Sequence, residues 1–150
     1  MSSRTGISFL LIVSALVMMP LISMSQNRSI DSLQQLLKST KQDTSRVNIL
    51  NKLSEEYDNN MSLDTAYKYA NTALSLAKKI SNLKGIAKAL DNMGNVLSDQ
   101  GKNDEALVKY LTSLGIKKEI GNKKELAYTY NLIGNIATNN DEALKNYSAA

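Results

Sequence analysis

The chain has 150 residues, a formal net charge of +4, and neither histidine nor cysteine. That length holds one ordinary domain or a short repeat array, not an array plus a separate catalytic domain. Without imidazole or thiol there are no histidine general bases, thiolate nucleophiles, Cys/His zinc sites or disulfides.

The remaining Ser, Lys, Tyr and carboxylates form no recognisable catalytic constellation, and no Gly-rich phosphate loop with its Lys is present. No catalytic, cofactor-binding or metal-ligating residue is therefore expected. Lysines alternate with acids, as in Lys117, Lys118, Glu119 and Lys123, Lys124, Glu125. This spreads the positive charge over solvated faces instead of building the basic stripe that nucleic acid requires, so no nucleic-acid partner is expected.

Residues 1–25 have the order of a secretory signal peptide. Arg4 precedes the apolar run from Ile7 to Ile22, and Ser23 and Ser25 stand at minus three and minus one for cleavage before Gln26. The run is shorter than the roughly twenty residues that cross a bilayer comfortably, and Pro20 interrupts its end. Export to the periplasm or exterior is the expectation, without persistent membrane insertion. Retention as an anchor and a buried helix are the alternatives.

Residues 26–41 form a lead-in, with Ile30, Leu33, Leu36 and Leu37 at helical spacing. One short helix is expected here, covering the exposed end of a helical array. From 42 to 150 amphipathic segments succeed one another. Asp43 or Thr44 caps the first, whose stripe is Val47, Leu50, Leu53 and Tyr57. Ser62 starts its partner, with Ala66, Tyr69, Ala70, Ala73, Leu74, Ala77 and Ile80 inward. Ser81 or Asn82 begins the third segment, whose apolar face carries Ile86, Ala87, Leu90, Met93, Gly94 and Leu97. Gly101 stands where a left-handed residue ends it.

Asn103 is placed to cap the fourth segment, with Ala106, Tyr110, Ser113, Leu114, Ile116 and Ile120 inward and Gly121 closing it. Lys117 interrupts that stripe and is expected to reach outward along its aliphatic stem. The fifth repeats the third as Leu126, Ala127, Tyr130, Ile133, Gly134 and Ala137, and a sixth begins at Asp141. Five helices are expected over 43–137, with a weaker sixth beyond.

The segments echo one another at forty residues. Asn82, Lys84, Ala87, Gly94, Asn95 and Val96 return as Asn122, Lys124, Ala127, Gly134, Asn135 and Ile136. An earlier copy carries Leu50, Leu53, Asp64, Ala66, Leu74 and Ile80 in place of Leu90, Met93, Asp104, Ala106, Leu114 and Ile120. Repetition of a unit that cannot bury its apolar face alone implies an all-α solenoid of stacked helix pairs. Gly94 and Gly134 cost each helix roughly 1 kcal/mol relative to alanine, so a close helix approach is expected there, with Ser54 in the same place in the first unit.

The stretch LDNMGNVLSDQGKNDEALVKYLTSLGIKKEIG, residues 90–121, resembles the tetratricopeptide repeat in its forty-residue form. The resemblance implies a right-handed solenoid of two-helix repeats over about 43–147. It implies that Gly94 and Ala106 permit close packing while Leu90, Leu97 and Tyr110 fill the interface. The same roles fall on Gly134, Ala143 and Tyr147 in the third unit, and on Ser54, Tyr57, Ala66 and Ala73 in the first. DTSRVNILNKLSEEY, residues 43–57, and YKYANTALSLAKKI, residues 67–80, are similar to the exported sensory arrays of bacterial transmembrane histidine kinases and regulators. DEAL at 104–107 recurs at 141–144, three residues short of the period, so either the turn is tighter and the helix before it shorter, or the final helix, which is only begun, docks imperfectly.

In such an array the first helices of successive units line the inner surface. Asn51, Glu55, Asp58, Lys88, Asp91, Asn92, Asn95, Asn131 and Asn135 are the expected exposed residues there, with Tyr128 nearest the groove and Tyr110 and Tyr130 inside. Asparagine amides both donate to and accept from a peptide backbone. Asn95 and Asn135 share one phase of the repeat and are the foremost candidates, although an asparagine is also simply polar helix surface. The expected function is a noncatalytic scaffold for a protein or extended peptide. The alternative is self-association through an uncovered end carrying Leu144 and Tyr147.

Overall fold

A computed structural model describes residues 28–137, which form six α-helices and no strand. α1 spans 28–39; then come α2 (Thr44–Asn59), α3 (Leu63–Lys79), α4 (Leu83–Asp99), α5 (Asn103–Ile120) and α6 (Lys123–Ala137). The five helices expected over 43–137 are all present. The leader, the turn at Thr138–Asp141, Ala143, Leu144, Tyr147 and the helix begun at Asp141 lie outside the described residues.

Local chemistry sets the boundaries. The Asp43 carboxylate accepts from the N–H of Ser45 at 2.9 Å and of Arg46 at 3.3 Å, capping α2. Asn82 caps α4 by accepting from Gly85 N–H at 3.0 Å, and Asn122 repeats the bond to Glu125 N–H at 3.3 Å. Asn103 does not cap α5. It is that helix's first residue, the cap position falls on Lys102, and no side chain caps there. Ser62 holds the cap position of α3 without a side-chain bond.

The ends of the helices obey a tighter rule than the sequence shows. Met61, Ser81, Gly101 and Gly121 all adopt positive φ, between 55° and 76°. The next N–H in each case reaches five residues back, as in Asn82 to Ala77 O and Lys102 to Leu97 O, both at 2.8 Å. These are Schellman turns, which satisfy carbonyls left over at a helix end. The left-handed residue therefore recurs every twenty positions, although only the second two are glycine.

Successive helices pack in sequence order, α2 on α3, α3 on α4, α4 on α5 and α5 on α6, and α2 also packs on α4. Ala70, Ala73 and Ala89 are fully buried in the core and allow the helix backbones to approach. Leu97, Leu107, Tyr110 and Ile133 continue that core through α4, α5 and α6. Gly94 behaves as expected: a Cβ there would stand 2.7 Å from Cδ1 and 2.9 Å from Cζ of Tyr110. Ser54 is fully buried at the same phase and donates to Ala66 O at 2.9 Å.

α1 covers the first end. Ile30 is buried against Ile49 and Leu53, Leu33 and Leu37 are partly buried, and Leu36 points outward, 51% exposed. Arg46 ties the helix down by donating to the carbonyls of Leu37 at 2.6 Å and Thr40 at 2.9 Å.

α6 departs from the expected stripe. Tyr130, Ala127 and Gly134 are exposed; of that stripe Ile133 is buried and Leu126 partly buried, and Thr129 and Ile136 are buried with them. The face that α4 presses on the next helix has no such neighbour among the described residues. Gly134 accordingly has nothing within 4 Å of its Cβ position, while Tyr147, which occupies the Tyr110 place, lies outside them.

Candidate functional site: the face of the first helices

α2, α4 and α6 are the first helices of three successive units, and their shared face carries a run of connected clefts. The central one, about 460 Å³, is bounded by Glu55, Asp58, Lys88, Asn95, Lys124 and Tyr128. A second, about 350 Å³, continues from Asp58 and Asn95 toward the C-terminal ends, where Asp99, Tyr110 and Asn135 join it. A third, about 200 Å³, continues from Lys88 and Glu125 toward the N-terminal ends, past Lys84 and Asn122.

Phase explains the membership. Asn48, Lys88 and Tyr128 are forty residues apart, as are Glu55, Asn95 and Asn135. Both sets line these clefts. Asn95 and Asn135 are thus on the expected face. The carbonyl of the Asn95 amide already accepts from the Tyr110 hydroxyl at 2.8 Å, which leaves its NH₂ end for a ligand.

Lys88 Nζ meets Glu55 Oε1 at 2.6 Å and lies 5.8 Å from the centroid of the Tyr128 ring. Burial alone lowers the Lys88 pKa, but the Glu55 hydrogen bond and charge, helped by Tyr128 and Asp91, outweigh it and hold the ammonium above its ordinary value. Tyr128 is 42% exposed. Asp58 is half-buried, and one of its carboxylate oxygens is shielded from solvent with no hydrogen-bond partner. Burial, then the nearby Asp99 charge, push its pKa up to about 6.

Three expected groove residues are buried instead. Asn51 donates to Gly85 O at 3.4 Å, and Asn92 donates to Asn51 O at 2.9 Å, so both amides stitch α2 to α4. Asp91 is fully buried. Asn131 is exposed but shares its phase with Asn51 and Asp91, which contact neighbouring helices rather than the clefts.

Lys117 is the largest correction. Its side chain is 3% exposed and does not reach outward. Nζ is ion-paired with Asp91 Oδ2, donates to Thr129 Oγ1 at 2.8 Å, and stands 3.3 Å from Glu125 Oε2. Three ammonium hydrogens find three oxygens on α4 and α6. Burial raises the Asp91 pKa, with the Lys117 hydrogen bond and charge opposing it. The signal was available: a lysine on an inward stripe, where Ala77 stands forty residues earlier, needs an acid facing it. Lys84, Lys124, Asp99 and Asn48 also escaped sequence reasoning, because a solvated helix face and a groove rim have the same composition.

Among the described residues no group of His, Cys, Asp and Glu side chains could hold a metal ion, and no helix is long and apolar enough to cross a membrane. A stack of helix pairs with a polar inner face defines a helical repeat array of tetratricopeptide type. The chain belongs to the family of the SusR N-terminal TPR domain, whose model matches residues 20–148. Comparison with curated proteins found no match.

Proposed function

We propose that the α2–α4–α6 face holds an extended segment of another protein, and that the array does so outside the cytoplasm as the front part of a sensory or regulatory protein. The observation that carries the binding reading is the pair of phases, Lys88/Tyr128 and Asn95/Asn135, which keep polar and aromatic groups on one cleft-bearing face. Amides serve a peptide backbone, and a half-exposed tyrosine supplies contact area at little entropic cost. The sensory part rests on the matching family being described as an N-terminal domain, and on the resemblance of 43–57 and 67–80 to exported sensory arrays. Export rests on the order of residues 1–25.

Once a partner is in hand, titration calorimetry of Tyr128→Ala and Asn135→Ala tests the face. Weaker binding with unchanged helicity supports it, and unchanged affinity removes it. Self-association is the second reading, favoured by Tyr130 at 50% exposure on the face of α6 that repeats the packed face of α4. Light scattering that shows concentration-dependent dimers, lost in Tyr130→Glu, would select it.

A further inference from the structure

One of the first helices, α4, carries its charges in the order that a helix normally avoids. α4 has Lys84 in its first turn and ends at Asp99, and neither acid at its start nor base at its end. α2 carries Asp58 in its last turn, although the Asp43 carboxylate caps its start, and α6 starts with Lys123 and Lys124 ahead of Glu125. The second helices do the opposite: α3 has Asp64 first and Lys78 and Lys79 last, and α5 has Asp104 and Glu105 first and Lys117 and Lys118 last. Only the second pattern complements the helix dipole. The unfavourable order of α4, which lines all three clefts, calls for a reason outside helix stability.

The clefts supply one, because their charge is graded along α4. The N-terminal cleft has Lys84 and Lys88 against Glu125, while the buried Lys117 ammonium behind it is taken by Asp91 and Glu125. The central one mixes both signs, Lys88 paired with Glu55, and Lys124 with Asp58 and Glu125. The C-terminal one has Asp58 and Asp99 and no lysine. Among the described residues no ion pair engages Lys84, Lys124, Asp58 or Asp99. One oxygen of Asp58, moreover, is shielded from water at the head of the acidic cleft without a donor.

We propose that this trough takes an extended peptide segment lying along α4, with acidic side chains at its Lys84 end and basic side chains at its Asp58/Asp99 end. From Lys84 to Asp99 the helix rises about 22 Å at 1.5 Å per residue, which an extended strand of about seven residues spans. A basic side chain at the acidic end supplies the donor that Asp58 lacks. Unlike charges at the two ends also fix the direction in which the segment lies, and a segment of one sign is repelled at one end. The raised pKa of Asp58 agrees with a carboxyl that awaits a cation.

This inference rests on the groove reading and deepens it to a ligand class. The test uses three acetylated, amidated heptapeptides of one composition: Glu-Glu-Ser-Asn-Ser-Lys-Lys, the reverse Lys-Lys-Ser-Asn-Ser-Glu-Glu, and the mixed Glu-Lys-Ser-Asn-Ser-Lys-Glu. Titration calorimetry at low salt should show one of the first two binding at least tenfold tighter than the mixed one. Asp58→Asn with Asp99→Asn should erase that preference while circular dichroism stays unchanged. Equal binding of all three, or none, overturns the charge-graded ligand. Equal binding that Tyr128→Ala weakens leaves the groove standing, whereas binding indifferent to Tyr128→Ala removes the groove as well.

Discussion

Lys117 on α5 and Asp91 on α4 form an ion pair closed off from solvent, its side chains 3% and 0% exposed, and Thr129 on α6 completes it at 2.8 Å. Two consecutive units are thereby joined through charge as well as through apolar packing. In the preceding junction the corresponding joint is neutral, made by Asn51 and Asn92 bonding to backbone carbonyls.

Breaking that pair on one side strands a charge. Lys117→Met leaves the Asp91 carboxylate buried without its cation and should cost about 3–5 kcal/mol in urea denaturation. The double variant Lys117→Met with Asp91→Leu should recover most of the loss, since burying both charges carries its own desolvation cost. A double variant as unstable as the sum of the singles would show that the pair is not a unit.

Gly94 and Gly115 both lie inside helices, yet only one has a neighbour. Alanine at 94 would press on the Tyr110 ring, whereas nothing lies within 4 Å of the Cβ position at 115. Gly94→Ala should lose about 1–3 kcal/mol and Gly115→Ala should gain up to about 1 kcal/mol of helix propensity. Denaturation midpoints moving in the same direction would contradict the close approach of α4 and α5.

The left-handed turns offer a gain of stability. Ser81 holds φ 55° and Met61 φ 56° without being glycine, a conformation that costs an ordinary residue roughly 1–2 kcal/mol. Ser81→Gly should raise stability by about 1 kcal/mol, and Gly101→Ser should lower it by a like amount. Midpoints insensitive to both would remove the twenty-residue turn rule.

Asp58 gives the fold a pH dependence of defined sign. Its pKa rises on folding from the ordinary 3.8 to about 6, so the folded state holds this proton more tightly than the unfolded chain. Its contribution to stability is full below about pH 4 and is lost as pH climbs through about 6. Asp58→Asn should therefore gain on the natural chain at about pH 7.5 relative to about pH 4. An NMR titration placing the Asp58 carboxyl near its ordinary value would contradict this.

What the sequence revealed was periodic. A forty-residue echo located the helices, the caps Asp43 and Asn82 each stood as one of two adjacent candidates, and Gly94 signalled a close contact because a missing side chain explains a poor helix former at a core phase. What it hid was the partner of each polar group. Asn51 and Asn92 look like groove amides because an asparagine's bonds to a distant carbonyl leave no local pattern. Lys117 looks outward until Asp91 is placed opposite it. Tyr130 looks buried because α4 sets the expectation, and α4 has a helix on both sides.

The central claim is that the partner lies on the face made by α2, α4 and α6. Its most direct test is site-specific photocrosslinking in the cells that make the protein, with p-benzoylphenylalanine at Tyr128 on that face or at Thr112, exposed on α5. The account predicts a defined crosslinked species from position 128 that is absent from position 112. Crosslinks from 112 and none from 128 would place the partner on the opposite surface and contradict it.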